Sequence, residues 1–404
     1  MRVLHVLAQL PGRTGSGVYF ANLVKELKRY GHDQGAVFAL QDDCAFPHLP
    51  ADRQYPVFFK TGGLPFPVPG MSDVMPYEST KYSALSPEML SLWVDAFSGA
   101  LTRAADLKPQ VLILHHLWML TSLAVDFFPE SKCIGICHHT DLRQARCNPG
   151  LAERYVTNIP KLETILSLSD AHQAEIQALH PCGCDKIVTM GGGFDGTLFY
   201  PRGRGRREGP VKILYAGKID PSKGVFALIK AFSSLRRREP GLSLTIVGTP
   251  TREYADQLNE LTRGDSGISL HPAMAQPDLA ETMREHDIFV LPSFFEGLGL
   301  IAIEALACGL WTVATEIEGL VSLLGKRVAQ SGAIEFVALP AMKEAGGLSD
   351  SHLGGFIDQL AAKLSGQVTR ARHESGFPEG IQADIAQHSW AAVAAKINLL
   401  IGHE

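Results

Sequence analysis

The chain has 404 residues, 46 % of them apolar and 20 % charged, with a formal net charge of -5. The length predicts two domains, and the composition is ordinary globular material, enough for two cores. The acidic balance supplies no global basic field for nucleic acid, and no run of about 18 apolar residues predicts a spanning helix.

The opening MRVLHVLAQL is apolar but short, and Pro11 and Gly12 end it, so it reads as a buried first strand and not as a secretory signal. Seven cysteines without an export signal read as reduced cytosolic thiols. The close pairs Cys133/Cys137 and Cys182/Cys184 lack the second pair at ligand spacing that zinc requires. Two basic runs, Arg202, Arg204, Arg206 and Arg207, and Arg236 to Arg238, could touch anionic lipid, although a solvated surface is the simpler reading.

Along the chain one unit recurs: a short apolar strand, a glycine-rich turn and an amphipathic helix. Val3 to Leu10 predicts a strand, PGRTGSG a turn, and Val18 to Tyr30 a helix that Gly31 stops. Ala36 to Leu40 predicts the next strand. Residues 44–88 are proline-rich and read as a long irregular stretch, which in a compact domain is usually functional. A helix at about 88–106 follows. Val111 to Leu114 predicts a strand ending in His115-His116, Cys133 to Cys137 one ending in His138-His139-Thr140-Asp141, and Leu166 to Leu168 a third, with Ser169-Asp170 as a helix cap. Residues 200–210, YPRGRGRREGP, read as a linker. The alternation then restarts: strands at Val211 to Ala216, Leu242 to Val247 (ending at Gly248), Asp287 to Pro292 and Trp311 to Ala314, and helices at Gly224 to Arg237 and Gly299 to Cys308. Such alternation predicts an α/β protein of two doubly wound, Rossmann-like parallel-sheet domains facing a cleft, with ligands at the carboxyl ends of the strands.

Four segments at those ends carry chemistry. In Leu291 to Gly309, free N–H groups near Gly299 and Leu300 would open a helix and suit a phosphate. Glu304, one turn in, either complements the helix dipole or accepts sugar hydroxyls. Glu296 lies in the same glycine loop, seven residues intervening. In YAGKIDPSKG, Lys218 and Lys223 could neutralise a diphosphate, or be solvated loop lysines. The turn Gly12 to Gly17 is neither a Walker loop nor a dinucleotide fingerprint, and remains a side-chain-poor turn past which a ligand could come close. The pairs His115/His116 and His138/His139 suit sugar hydroxyls, and Trp118 could offer a face to a sugar ring, although each histidine alone is more often structural.

Taken together these segments resemble the retaining GT-B-fold glycosyltransferases of family 4 (group 1 glycosyltransferases). PSFFEGLGLIAIEALACG resembles the family's Glu-x7-Glu segment. YAGKIDPSKG resembles its phosphate loop, MGGGFDGTLFYP the stretch before the interdomain linker, HHTD its His-Gly-Thr-Asp, and SGVYFANLVKEL its opening glycine loop and helix. The resemblance implies an N-terminal acceptor domain over 1–200, a nucleotide-sugar domain over 201–384, and a C-terminal helix over 385–404 returning to the first domain. It implies that His138, Glu296, Lys218 and Lys223 serve catalysis. Ser16, Gly17, Gly248, Gly299, Leu300 and Glu304 would bind the donor, and His116, Trp118 and His139 the acceptor. No metal and no cofactor are implied. The implied reaction moves a hexose-type sugar from a nucleotide diphosphate sugar, UDP-sugar first and GDP-sugar next, to a hydroxyl of a glycan, lipid-linked or small-molecule acceptor. The implied setting is cytoplasmic, with room for peripheral membrane contact and no nucleic acid partner. A sugar-nucleotide epimerase and a non-catalytic sugar-nucleotide binder are the alternatives. The chain departs from the family pattern in three places: Lys218 stands for Arg, which loses bidentate phosphate pairing, Trp311 stands for Pro, and the Gly-Gly-x-x-Glu expected after Glu318-Gly-Leu320 is missing. The segment 44–88 is longer than in many members and reads as an acceptor-side element.

Overall fold

The computed structural model describes residues 1–41, 46–60, 63–73, 75–203, 209–296, 298–340 and 350–402. Arg204, Arg206 and Arg207 of the expected linker, Cys44, and Gly297 of the glutamate loop lie outside the described residues. The chain divides into two compact units, Met1–Gly192 with Trp390–Glu404, and Gly193–Ser389.

In the first unit the order is β1 (Arg2–Leu7), α1 (Gly15–Leu27), β2 (Asp33–Leu40), β3 (Gln54–Phe58), the two-residue strands β4 (Pro69–Gly70) and β5 (Thr80–Lys81), and α2 (Pro87–Ala104). Then come β6 (Val111–His115), α3 (Met119–Phe127), β7 (Lys132–Ile136), α4 (Thr140–Cys147), α5 (Pro149–Tyr155), β8 (Thr164–Ser167), α6 (Ala171–Leu179) and β9 (Ile187–Thr189). The second unit runs β10 (Val211–Ala216), α7 (Val225–Arg238), β11 (Leu242–Val247), α8 (Arg252–Thr262), β12 (Ile268–His271), α9 (Gln276–Arg284), β13 (Ile288–Leu291) and α10 (Leu300–Ala307). It continues through β14 (Trp311–Thr315), α11 (Glu318–Ala329), β15 (Ile334–Val337), α12 (Asp350–His373) and α13 (Ile381–Ala386); α14 (Trp390–Gly402) belongs to the first unit.

Both main sheets are parallel. Their strand orders are β3-β2-β1-β6-β7-β8-β9 and β12-β11-β10-β13-β14-β15. Each is Rossmann-like, so the two-domain α/β expectation holds. Central strands such as β6, VLILH, are buried at every position, as a sheet covered on both faces requires. In each sheet the strand order reverses beside the first strand, between β1 and β6 and between β10 and β13. The carboxyl ends at those reversals are where ligands bind in open α/β sheets.

The structure corrects several expected boundaries. Helix α1 begins at Gly15, three residues before Val18, because the Thr14 side chain accepts from the Gly17 N–H and caps the first turn. Ser16 and Gly17 are therefore helical residues and not part of a loop. The segment 44–88 is not irregular throughout: Gln54–Phe58 pairs with β2 as an edge strand, where Pro56 is tolerated for want of an outer neighbour. The second unit begins before residue 200, since Phe194 and Phe199 are buried in its core. The return to the first unit begins at Trp390 and not at 385, because Ile381 and Ile385 of α13 sit in the second unit's core. Helix α14 then packs on α1, with Trp390 against Tyr19 at 4.9 Å and His32 bonded to Asn398.

Candidate active site

In the second unit, the loops after β10 and β13 meet at the reversal of strand order. Gly224 has φ 67°, and a Cβ there would run into the carbonyl oxygen of Pro292. The short turn Pro221–Lys223 is held by Asp220, which accepts from the Ser222 N–H at 2.9 Å, and Phe294 N–H donates to Ser222 O at 2.8 Å. The two loops are thus locked backbone to backbone. Gly224→Ala combines a left-handed φ, worth about 1–2 kcal/mol, with a collision against main chain. It is expected to lower the unfolding midpoint by more than a surface substitution does; a midpoint equal to that of the parent would refute this packing.

That lock fixes the charged groups. Lys223 Nζ donates to Phe295 O at 2.9 Å and to Glu296 Oε2 at 2.8 Å. The sequence reads Lys223 as a cation for a diphosphate and Glu296 as a residue of a separate glycine loop; the structure shows the two neutralising each other. Lys218 is exposed, and its carbonyl accepts from the Tyr215 hydroxyl at 2.6 Å. Gly299, at φ 62°, turns the chain into α10, and Ala302 N–H bonds back to Gly299 O, so Leu300 opens the helix. Glu304, part-buried one turn on, has its pKa raised to about 8 by desolvation, and no cation among the described residues pairs with it. A carboxyl so placed lacks partners that ribose hydroxyls could supply. Gly248 has a local explanation: a Cβ there would strike Gly217 O, so the glycine lets the end of β11 close on the loop after β10.

In the first unit, the loops after β6 and β7 carry the histidines. Asp141 is fully buried; its Oδ2 accepts from the N–H of Leu117 at 2.6 Å and of His138 at 3.3 Å, and its Oδ1 from Leu142 N–H. One carboxylate therefore ties both strand-end loops together. His115 Nδ1 lies 3.2 Å from His138 Nε2, with the rings 12° from parallel. Burial holds both rings well below the usual histidine pKa. His116, at φ 73°, is buried against His138, and its pKa is lowered to about 4 by burial. His139, at φ 68°, is half-exposed and stacks on His172 at 4.3 Å.

Two acceptor-side expectations fail on burial. Trp118 is 2 % exposed and packs edge-on to Tyr82, so it offers no face to a sugar. His116 is equally enclosed. Gly17 also has a packing reason, because a Cβ would lie 2.5 Å from Leu10 O. In the sequence Asp141 is marked only by its place three residues after His138, and that spacing alone assigns it no role. Gln9 and Gln144 were missed altogether. Their buried amides donate to Pro69 O at 2.7 Å and Met71 O at 3.0 Å, strapping part of the proline-rich segment over the strand ends. Replacing Asp141 by Ala strands three buried N–H groups, those of Leu117, His138 and Leu142, and is expected to cost about 1–3 kcal/mol for each. Urea unfolding should show Asp141→Asn, which keeps one acceptor oxygen, lying between parent and Ala; an unshifted midpoint for Ala would exclude the tie.

Cys133 and Cys137 are free and buried, and burial raises the Cys133 thiol to about 11. Among the described residues no helix is long and apolar enough to cross a membrane.

Residues 199–337 match the model of the family described as glycosyl transferases group 1, a stretch that holds Lys218, Lys223, Glu296 and Glu304. Over 168 residues the chain is 34 % identical to a D-inositol 3-phosphate glycosyltransferase of Arthrobacter sp. (strain FB24), covering 39 % of this chain and 40 % of that protein. It is 28 % identical over 283 residues to a glycogen synthase of Mycobacterium tuberculosis, 67 % of this chain and 66 % of that one. Its fold is similar to that of sucrose-phosphate synthase from Thermosynechococcus elongatus, with TM-score 0.67, 16 % identity, and 99 % and 98 % of the two chains covered. The chain thus spans about 40 % of the length of the first curated relatives it matches, while the two-domain fold of GT-B glycosyltransferases extends over its whole length.

Proposed function

We propose that the protein is a retaining, metal-independent glycosyltransferase that moves a hexose-type sugar from a nucleotide diphosphate sugar, UDP-sugar first, to an acceptor hydroxyl. The observation that carries the reading is the second unit's locked pair of loops. There Lys223, Glu296, the start of α10 and Glu304, which has no cationic partner among the described residues, lie within the family-matched stretch at a reversal of strand order. The chemistry asks for no protein nucleophile. Lysine charge and helix N–H groups stabilise the departing diphosphate, Glu304 receives the ribose hydroxyls and Glu296 hydroxyls of the transferred sugar, while the sugar contact of His138 rests on the resemblance to family 4 alone. The retaining course, in which a donor phosphate oxygen takes the acceptor proton on the face from which the diphosphate leaves, rests on the resemblance to family 4. The acceptor falls in the class of glycan, lipid-linked or small hydroxyl compounds. A cytoplasmic setting with peripheral membrane contact belongs to the same proposal.

The test is a thermal-shift screen of UDP, GDP and ADP followed by donor hydrolysis without acceptor. One diphosphate is expected to raise the melting temperature and its sugar ester to be slowly hydrolysed. Binding without turnover of any donor, with or without acceptor, would reduce the protein to a sugar-nucleotide binder. No binding at all would overturn the reading.

A further inference from the structure

We propose that His115 is a positioning residue that fixes the proton of His138 on Nδ1, so that His138 presents an N–H donor, and not a basic nitrogen, to whatever it meets outside the core. The argument begins from the 3.2 Å pair between His115 Nδ1 and His138 Nε2. One proton lies between these atoms, carried by one ring or the other. Among the described residues His115 Nε2 is buried with no partner, and its ring neighbours are Tyr19, Phe20 and His138. If His115 accepted at Nδ1, its proton would sit on that enclosed Nε2 as an N–H with no acceptor. If His115 donates from Nδ1, only a lone pair is left unfilled. Orphaned buried N–H groups are the rarer and costlier case, so the second arrangement wins.

The rest follows from counting protons. A neutral imidazole carries one proton; if its Nε2 accepts, that proton is on Nδ1. Burial keeps both rings neutral. Among the described residues, the enclosed histidine nitrogens without a partner include His5 Nδ1, His115 Nε2 and both of His116, and His138 Nδ1 is not one of them. His138 Nδ1 is therefore the nitrogen left for a ligand, and it is protonated. Asp141 accepts from the His138 backbone N–H and holds the residue in register for this exchange. On the reading proposed above, His138 donates to a hydroxyl or phosphate oxygen and does not take the acceptor's proton at that atom.

The experiment is a long-range proton–nitrogen correlation spectrum of the full chain with 15N-labelled histidine, the His138 signals being assigned by their loss in His138→Gln. The expected pattern is a protonated Nδ1 and a bare Nε2 on His138. His115→Phe should release His138 to the other tautomer or to an equilibrium of both. His115→Asn, which can place an amide donor near the lost Nδ1, should restore the parent pattern. A parent spectrum with the proton on Nε2 overturns the proposal even if the variants do not fold, and so does an unchanged tautomer in a folded His115→Phe. The tautomer is read without any substrate, so failure of the sugar-transfer reading is seen separately. If transfer is measured, His115→Phe is expected to lower kcat by about tenfold, the weight of roughly one hydrogen bond, with recovery in His115→Asn.

Discussion

Lys223→Ala is expected to lower kcat/KM for sugar transfer by about 10²–10³, the usual loss when one preorganised group that stabilises developing charge is removed. It should also abolish the rise in melting temperature caused by the matching nucleotide diphosphate. Two effects add in the same direction. The cation that would face the departing diphosphate disappears, and Glu296 loses its 2.8 Å counter-charge. A part-buried carboxylate without its lysine repels an incoming diphosphate, so the single variant suffers more than the loss of one attraction. The double variant Lys223→Ala/Glu296→Gln is therefore expected to bind nucleotide better than Lys223→Ala alone while remaining poor in turnover. Calorimetric titration of the four members of this cycle measures the coupling. Full nucleotide response and turnover in Lys223→Ala would move the diphosphate away from this loop. Glu304 adds a pH dependence. With its pKa raised to about 8 it is mostly protonated at neutral pH. If the ionised carboxylate receives the ribose hydroxyls, nucleotide affinity should rise between pH 7 and 9 in the parent and stay flat there in Glu304→Gln.

Acid should destabilise the first unit steeply. His5 and His116 are buried, and burial lowers each pKa from 6.5 to about 4. His115 and His138 are shifted in the same direction. Between pH 6.5 and about 4 the unfolded chain binds protons at these rings and the folded chain does not, so stability falls as pH falls. The loss begins below 6.5, and for His5 and His116 it levels off near 4. At pH 5 it amounts to about 2 kcal/mol for each of His5 and His116, from 1.36 kcal/mol per unit. That is a large share of an ordinary domain's stability. Urea unfolding at pH 7.5 and 5.0 measures it. His116→Asn removes one titrating ring while tolerating the left-handed backbone at that position, and should show a shallower pH slope. A parent with the same stability at both pH values would contradict the enclosure of these rings.

The sheet architecture was legible because its signal is local. Val211–Ala216 and Leu242–Val247 were delimited to the residue by apolar runs between polar and glycine boundaries. Glu296, Glu304 and the two lysines were found because strand, glycine loop and helix start follow one another in the chain. The reach of α1 back to Gly15 was not legible, since it depends on whether the Thr14 hydroxyl turns toward the Gly17 N–H. The edge strand Gln54–Phe58 was hidden by Pro56, which counts against a strand until an edge position is known.

The sequence by itself determined two Rossmann-like units, the strand ends at which ligand chemistry gathers, and which residue types stand there. Local periodicity and loop composition suffice for that, because each depends on neighbours a few residues apart. Only the tertiary structure decided which of those residues face one another. It joined Lys223 to Glu296 across the Gly224–Pro292 contact, sealed Trp118 and His116 in the core, and set His115 behind His138. Those outcomes depend on burial and on contacts between segments distant in the chain, where desolvation and steric fit outweigh the preferences that a local stretch can express.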